Sequence, residues 1–60
     1  MIELNNQDLR VLRLIYEGNS NKQISEELGI TRGAVMFHVS KLFHYYGVKT
    51  RTELRTVLNR

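Results

Sequence analysis

The stretch Thr31-Arg-Gly-Ala-Val-Met-Phe-His-Val-Ser-Lys-Leu-Phe-His-Tyr-Tyr-Gly47 decides the fold. Thr31 is suited to an N-cap, because its hydroxyl oxygen accepts a hydrogen bond from an unpaired amide of the first turn. Gly47 is suited to the stop, since glycine takes the left-handed conformation without a steric penalty. Between them Val35, Val39, Leu42, Phe43 and Tyr46 recur at i, i+4, i+7, i+8 and i+11, which is one face of a helix. The opposite face carries Gly33, Met36, Phe37, Ser40 and His44, and whatever this chain recognises is set by that face.

Working upstream, Gly29-Ile30-Thr31 separates this helix from a shorter one. Ser20 with Gln23 matches the capping-box pattern, in which a hydroxyl and a side-chain amide satisfy each other's backbone N–H groups. It opens a second helix over 21–28, with Ile24 and Leu28 repeating at i, i+4. Before it, Asn5 and Asp8 open a first helix over 6–17, with Gly18 just beyond its end. That helix is apolar over a wide arc: Leu9, Val11, Leu12, Leu14, Ile15 and Tyr16 surround a narrow wedge of Arg10, Arg13 and Glu17. Such an arc predicts packing on two sides. Downstream, Thr50 and Glu53 form another capping-box pair and open a fourth helix over 51–59. Its Leu54, Val57 and Leu58 make an apolar stripe. Leu54 is assigned to the monomer core, whereas Val57 and Leu58 fit either the core or a dimer seam. No strand pattern competes, so the fold class is all-α. A short helix, a glycine-containing turn and a longer helix form the helix-turn-helix signature.

The totals set limits. Sixty residues make one domain spanning 1–60, and chains of this size bury only about 60% of their unfolded surface. A thin core favours dimerisation. There is no cysteine, hence no disulfide framework or thiolate metal site. Lys and Arg number 9 against 6 Asp and Glu, and the pI is about 9.7. This excess suits an acidic partner such as nucleic acid. No apolar run approaches the roughly 20 residues that span a bilayer, and the first residues lack the charged flank and apolar centre of a signal peptide. The cytoplasm is the expected location.

Several pieces of sequence then combine: Val11-Leu12-x-Leu14-Ile15-x-x-Gly18, Ser20-Asn21-Lys22-x-Ile24-x-x-x-Leu28-x-Ile30-Thr31, Val35-x-x-His38-Val39, and Gly47-Val48-x-x-Arg51-x-x-Leu54. Over Leu4–Leu58 the chain resembles the helix-turn-helix DNA-binding domain of the LuxR/GerE family of bacterial transcription regulators. Its most specific piece is Gly18-x-Ser20-Asn21-Lys22-x-Ile24. The resemblance implies four helices, the third entering the DNA major groove and the fourth pairing two subunits. It departs at the third helix, where the family's Thr-Val-Lys is Ala34-Val35-Met36, so the groove-facing Lys is replaced by Met36. Family members also carry a sensory or receiver domain ahead of this one. Its absence here implies a stand-alone domain without a built-in regulatory input, and the initial Met with no linker is read against a fragment of a longer regulator.

On this reading Arg32, Gly33, Met36, Phe37 and Ser40 face the bases, while Lys22, Thr31, Lys41, Lys49 and Arg51 hold phosphates. Guanine is read by bidentate Arg or Lys, which Met36, Phe37 and Ser40 cannot supply, so an A·T-leaning or weak preference is expected. Adjacent exposed Met36 and Phe37 call for a reason. Contact with thymine methyl groups, an adaptable protein interface, or Phe37 leaning on the edge of the core each supplies one. His38 and His44 lie six residues apart, on opposite sides of a helix, and cannot share a metal. His38 is read as a helix-packing residue, Tyr46 as core, and Tyr45 as surface or dimer contact. No nucleophile–base pair or phosphate-cradling glycine loop is present, which argues against an enzyme, and no cofactor is implied. The functional expectation is a homodimeric regulator binding double-stranded DNA. The alternative is a protein-binding module that antagonises a related regulator protein through its fourth helix, or another partner through its apolar third-helix face.

Overall fold

The computed structural model describes residues 3–60, and its four helices follow from local capping chemistry. Helix α1 (Asn6–Tyr16) starts at a full capping box. The Asp8 amide donates to Asn5 Oδ1 at 2.8 Å and the Asn5 amide donates to Asp8 Oδ2 at 2.9 Å. Helix α2 (Asn21–Leu28) repeats the device with Ser20 and Gln23, at 3.2 and 2.8 Å. Helix α3 (Arg32–Tyr46) is capped by Thr31, whose Oγ1 accepts from the Ala34 amide at 3.1 Å. Helix α4 (Arg51–Leu58) is capped by Thr50, which accepts from the Glu53 amide at 3.0 Å. Here only half of the sequence-predicted box forms: the Thr50 hydroxyl, not its amide, donates to Glu53, at 3.5 Å.

The stops are equally local. Gly29 and Gly47 take φ of +66° and +68°, which turns the chain so that a later amide reaches back into the helix. Ile30 donates to the Ser25 carbonyl at 3.1 Å, and Val48 to the Phe43 carbonyl at 3.0 Å. These closures satisfy carbonyls that helix ends leave unpaired. They also fix the direction in which α3 leaves the Gly29 turn.

Helix α3 packs against α1, α2 and α4, so it is the central element. Val11, Leu14, Ile15, Ile24, Val35, Val39, Leu42 and Leu54 form the buried core. Leu4, Leu12, Leu28, Ile30, Phe43, Tyr46, Val48 and Leu58 pack around it, partly buried. Leu54 is core, as its position in the stripe predicts, and Leu58 leans on the same cluster.

Helix α1 corrects one expectation. Its Val11–Leu14–Ile15 side is buried, but Leu9 and Tyr16 are 47% and 44% exposed. The second side of its apolar arc is therefore open, with Leu12 and Leu58 at the base of a shallow groove between α1 and α4. Across the groove's end, Tyr16 Oη donates to Asn59 Oδ1 at 2.7 Å. Three helices already occupy the inner side of α1, and none lies over Leu9. Among the described residues, no helix is long and apolar enough to cross a membrane.

Candidate nucleic-acid interface

Periodicity turns the buried stripe of α3 inward, and so turns Arg32, Gly33, Met36, Phe37 and Ser40 outward; all five are exposed. Met36 is 59% and Phe37 66% exposed, so Phe37 does not lean on the core edge. A side chain built at Gly33 would touch only Thr31 Oγ1, at 3.9 Å, so the backbone there is open to a close neighbour. The first turn of α3 thus presents Arg32 and bare backbone, the second two large apolar side chains, and the third the Ser40 hydroxyl.

Lys22, near the start of α2, and Lys49, in the turn before α4, are exposed, as is Thr31. Thr31 Oγ1 already accepts from Ala34, which leaves its hydroxyl proton to donate. The other two expected phosphate ligands are differently employed. Lys41 Nζ lies 2.6 Å from Asp8 Oδ2 and its side chain is only 25% exposed. Arg51 Nη1 donates to Asn21 Oδ1 at 2.6 Å, and Nη2 donates to the Asn19 carbonyl. Burial, and then the neighbouring charge of Arg55, lower the pKa of Arg51. Both side chains are bound within the chain, whereas their sequence positions alone suggest phosphate contacts. The reason is geometric: each faces an acceptor from a helix some thirty residues away, which spacing along one helix does not reveal.

Asp8 is the functional group that sequence reasoning missed. Its position in the first turn places it at the positive start of α1, and it fills that place. Yet it is also fully buried beneath α3, where Oδ1 lies 2.6 Å from His38 Nδ1 and Oδ2 receives Lys41 and the Asn5 amide. Burial pushes this carboxyl up, but Lys41, the Asn5 amide and His38 outweigh it and hold the pKa at about 2 instead of 3.8. The signal was present in the sequence, because His38 and Lys41 are three apart and share one face of α3. His38 is thereby a helix-packing residue with a charged partner. Its ring also meets Phe37 edge-on, with centroids 5.6 Å apart and planes at 74°.

The dimer candidates on α4 fare unequally. Val57 is half-buried beside Tyr46 and Val48, and Leu58 packs on the core. Their neighbours Thr52, Glu53, Arg55, Thr56, Asn59 and Arg60 are all exposed and polar. Among the described residues, no cluster of His, Cys, Asp and Glu has the arrangement of a metal site. The geometry supplies an open, mildly basic helix face with an apolar centre, held rigidly to the core. That face is shaped to suit a groove lined by anionic backbones, and it carries a single forked cation, Arg32, at its edge.

Comparison with known proteins agrees with this architecture. Residues 3–58 match the model of "Bacterial regulatory proteins, luxR family". The HTH-type transcriptional regulator AlkS of Pseudomonas putida is 44% identical over 43 residues, which is 72% of this chain and 5% of AlkS. The transcriptional regulatory protein LiaR of Bacillus subtilis is 37% identical over 57 residues, 95% of this chain and 27% of LiaR. LnrK of the same organism is 36% identical over 53 residues, 88% of this chain and 24% of LnrK. The chain thus spans about a quarter or less of the length of these relatives, and no solved structure matches it. With four capped helices in the expected order and a family match over nearly its whole length, the chain belongs to the luxR family of bacterial regulatory proteins.

Proposed function

We propose that this chain is a DNA-binding transcription regulator that lays α3 in the major groove of duplex DNA. The observation that carries this reading is the outward face of α3, which carries Arg32 and is exposed along its length, with Lys22 exposed at the start of α2 and Lys49 in the turn before α4. Cations at such positions neutralise phosphates and fix register, whereas the side chains between them meet base edges. Thr31 adds a neutral phosphate donor at the start of the helix. Lys41 and Arg51 act from behind, by holding α3 to α1 and α4 to α2.

The active species is a homodimer, which lets two copies of α3 engage successive turns of the duplex. Val57 and Leu58 contribute to its seam, but α4 alone offers too little exposed apolar surface. The adjoining strip of Leu9, Leu12 and Tyr16 completes it. That same strip favours a second reading, in which the chain pairs with a related regulator and keeps it from DNA. The two readings part at the duplex itself.

Fluorescence anisotropy of a labelled mixed-sequence duplex, titrated across a salt series, is the test. Each phosphate neutralised contributes about 0.9 to the slope of log affinity against log salt. Neutralisation of one phosphate each by Lys22, Arg32 and Lys49 therefore predicts a slope of about −3 per bound protomer. Absence of binding at low salt would remove the DNA reading and leave the pairing one. Sedimentation of the free chain tests the dimer, and a monomer at high micromolar concentration would refute it.

A further inference from the structure

We propose that Met36 and Phe37 make α3 a reader of thymine, recognising the C5-methyl groups that line the major groove; this rests on the DNA-binding reading above. Four base-facing positions lie beyond Arg32: Gly33, Met36, Phe37 and Ser40. None carries the forked or cationic donor that guanine O6 and N7 require, and none carries the amide that adenine N6 and N7 require. Ser40 alone can hydrogen-bond, and a hydroxyl accepts either partner. The thymine methyl is the one apolar group on the floor of the groove, and it is the feature that two large apolar side chains complement. Placed instead against guanine or cytosine edges, the same side chains would strip water from donors and acceptors without replacing those bonds.

The backbone is arranged for a close approach. Gly33 lies three residues before Met36 and four before Phe37, hence on the same stripe of the helix. With no side chain there and only Thr31 Oγ1 near the place of a Cβ, the start of α3 sinks further into the groove than a larger residue would allow. The reading ring also has a supported neighbour on one side. Phe37 rests edge-on against His38, His38 is held by Asp8 at 2.6 Å, and Asp8 is fully buried. Ordering an aromatic side chain before binding lowers the entropic cost of the contact. The exposed cations at Lys22 and Lys49 supply attraction without sequence information, and Arg32 stands in the first turn at the edge of the face, so discrimination at its centre falls to the apolar pair.

The experiment removes methyl groups and nothing else. A preferred duplex is first selected from a random pool, then resynthesised with deoxyuridine at each thymine in turn and measured by anisotropy. Affinity should fall about fourfold at each contacted thymine, the worth of one buried methyl-sized group. The paired replacement Met36→Ala and Phe37→Ala should bind thymine and uracil duplexes alike, more weakly than the original chain binds the thymine duplex. Both side chains are exposed, so far-UV circular dichroism should show the fold intact. Equal affinity of the original chain for thymine and uracil duplexes overturns the inference while leaving DNA binding in place. So does a methyl preference that survives the paired replacement. Failure to bind any duplex at low salt overturns the DNA-binding reading itself, and this inference with it.

Discussion

Replacing Asp8 with Asn keeps the shape of the side chain but removes the charge on which α1 and α3 meet. Three donors converge on this buried carboxylate: Lys41 and His38 at 2.6 Å each, and the Asn5 amide at 2.9 Å. Together they hold its pKa at about 2, against 3.8 unperturbed. At about 1.36 kcal/mol per pH unit, the ionised form contributes about 2 kcal/mol to folding. Breaking a fully buried pair costs about 3–5 kcal/mol, but Lys41 is 25% exposed and can turn its ammonium to water. We expect Asp8→Asn to lose about 2–3 kcal/mol at neutral pH. For a 60-residue domain each kcal/mol moves Tm by about 4–8 °C, so thermal unfolding followed by circular dichroism should show a drop of about 8–24 °C. The pH dependence carries the sharper test. A carboxyl with a depressed folded pKa contributes its full stability above its unfolded pKa and loses it as pH falls through the folded one. The gap between the original chain and the variant should therefore be complete above about pH 5 and largely closed by about pH 2. A Tm change under about 2 °C at neutral pH, or a gap that does not narrow on acidification, would refute the anchor.

Other replacements separate anchoring from contact. Arg51→Ala should lower stability by about 1–2 kcal/mol in urea, because it strands Asn21 Oδ1 and the Asn19 carbonyl. An unchanged midpoint with weakened, less salt-sensitive DNA binding would return Arg51 to the phosphates. Lys22→Ala and Lys49→Ala should each weaken binding to every duplex alike and flatten the salt slope by about 0.9, measured by anisotropy; an unaltered slope would remove that residue from the interface. Ser20→Ala deletes the acceptor of the Gln23 amide at 3.2 Å and should cost about 1 kcal/mol, seen as a Tm lower by about 4–8 °C. A Tm within error of the original would mean that water replaces this cap without loss.

What the sequence determined was everything that depends on neighbours three or four residues apart. Asn5 with Asp8, Ser20 with Gln23, Thr31 and Thr50 start the helices, and Gly29 and Gly47 stop two of them, because caps and left-handed turns are closed within one turn of chain. Periodicity likewise turned Val35, Val39 and Leu42 inward and Met36, Phe37 and Ser40 outward, since both follow from 3.6 residues per turn. The tertiary structure alone decided which charges are spent inside the molecule. Lys41 and Lys49 read alike as cations near one helix, yet one lies on Asp8 and the other is exposed. Which of them meets a carboxylate depends on how α3 crosses α1, and that crossing is set by packing between residues more than twenty positions apart. The same holds for Arg51 and Asn21, and for Leu9 and Tyr16, whose apolar character forecast burial that no helix provides. Local rules fix what each helix shows on each face; only the assembled fold determines which faces meet.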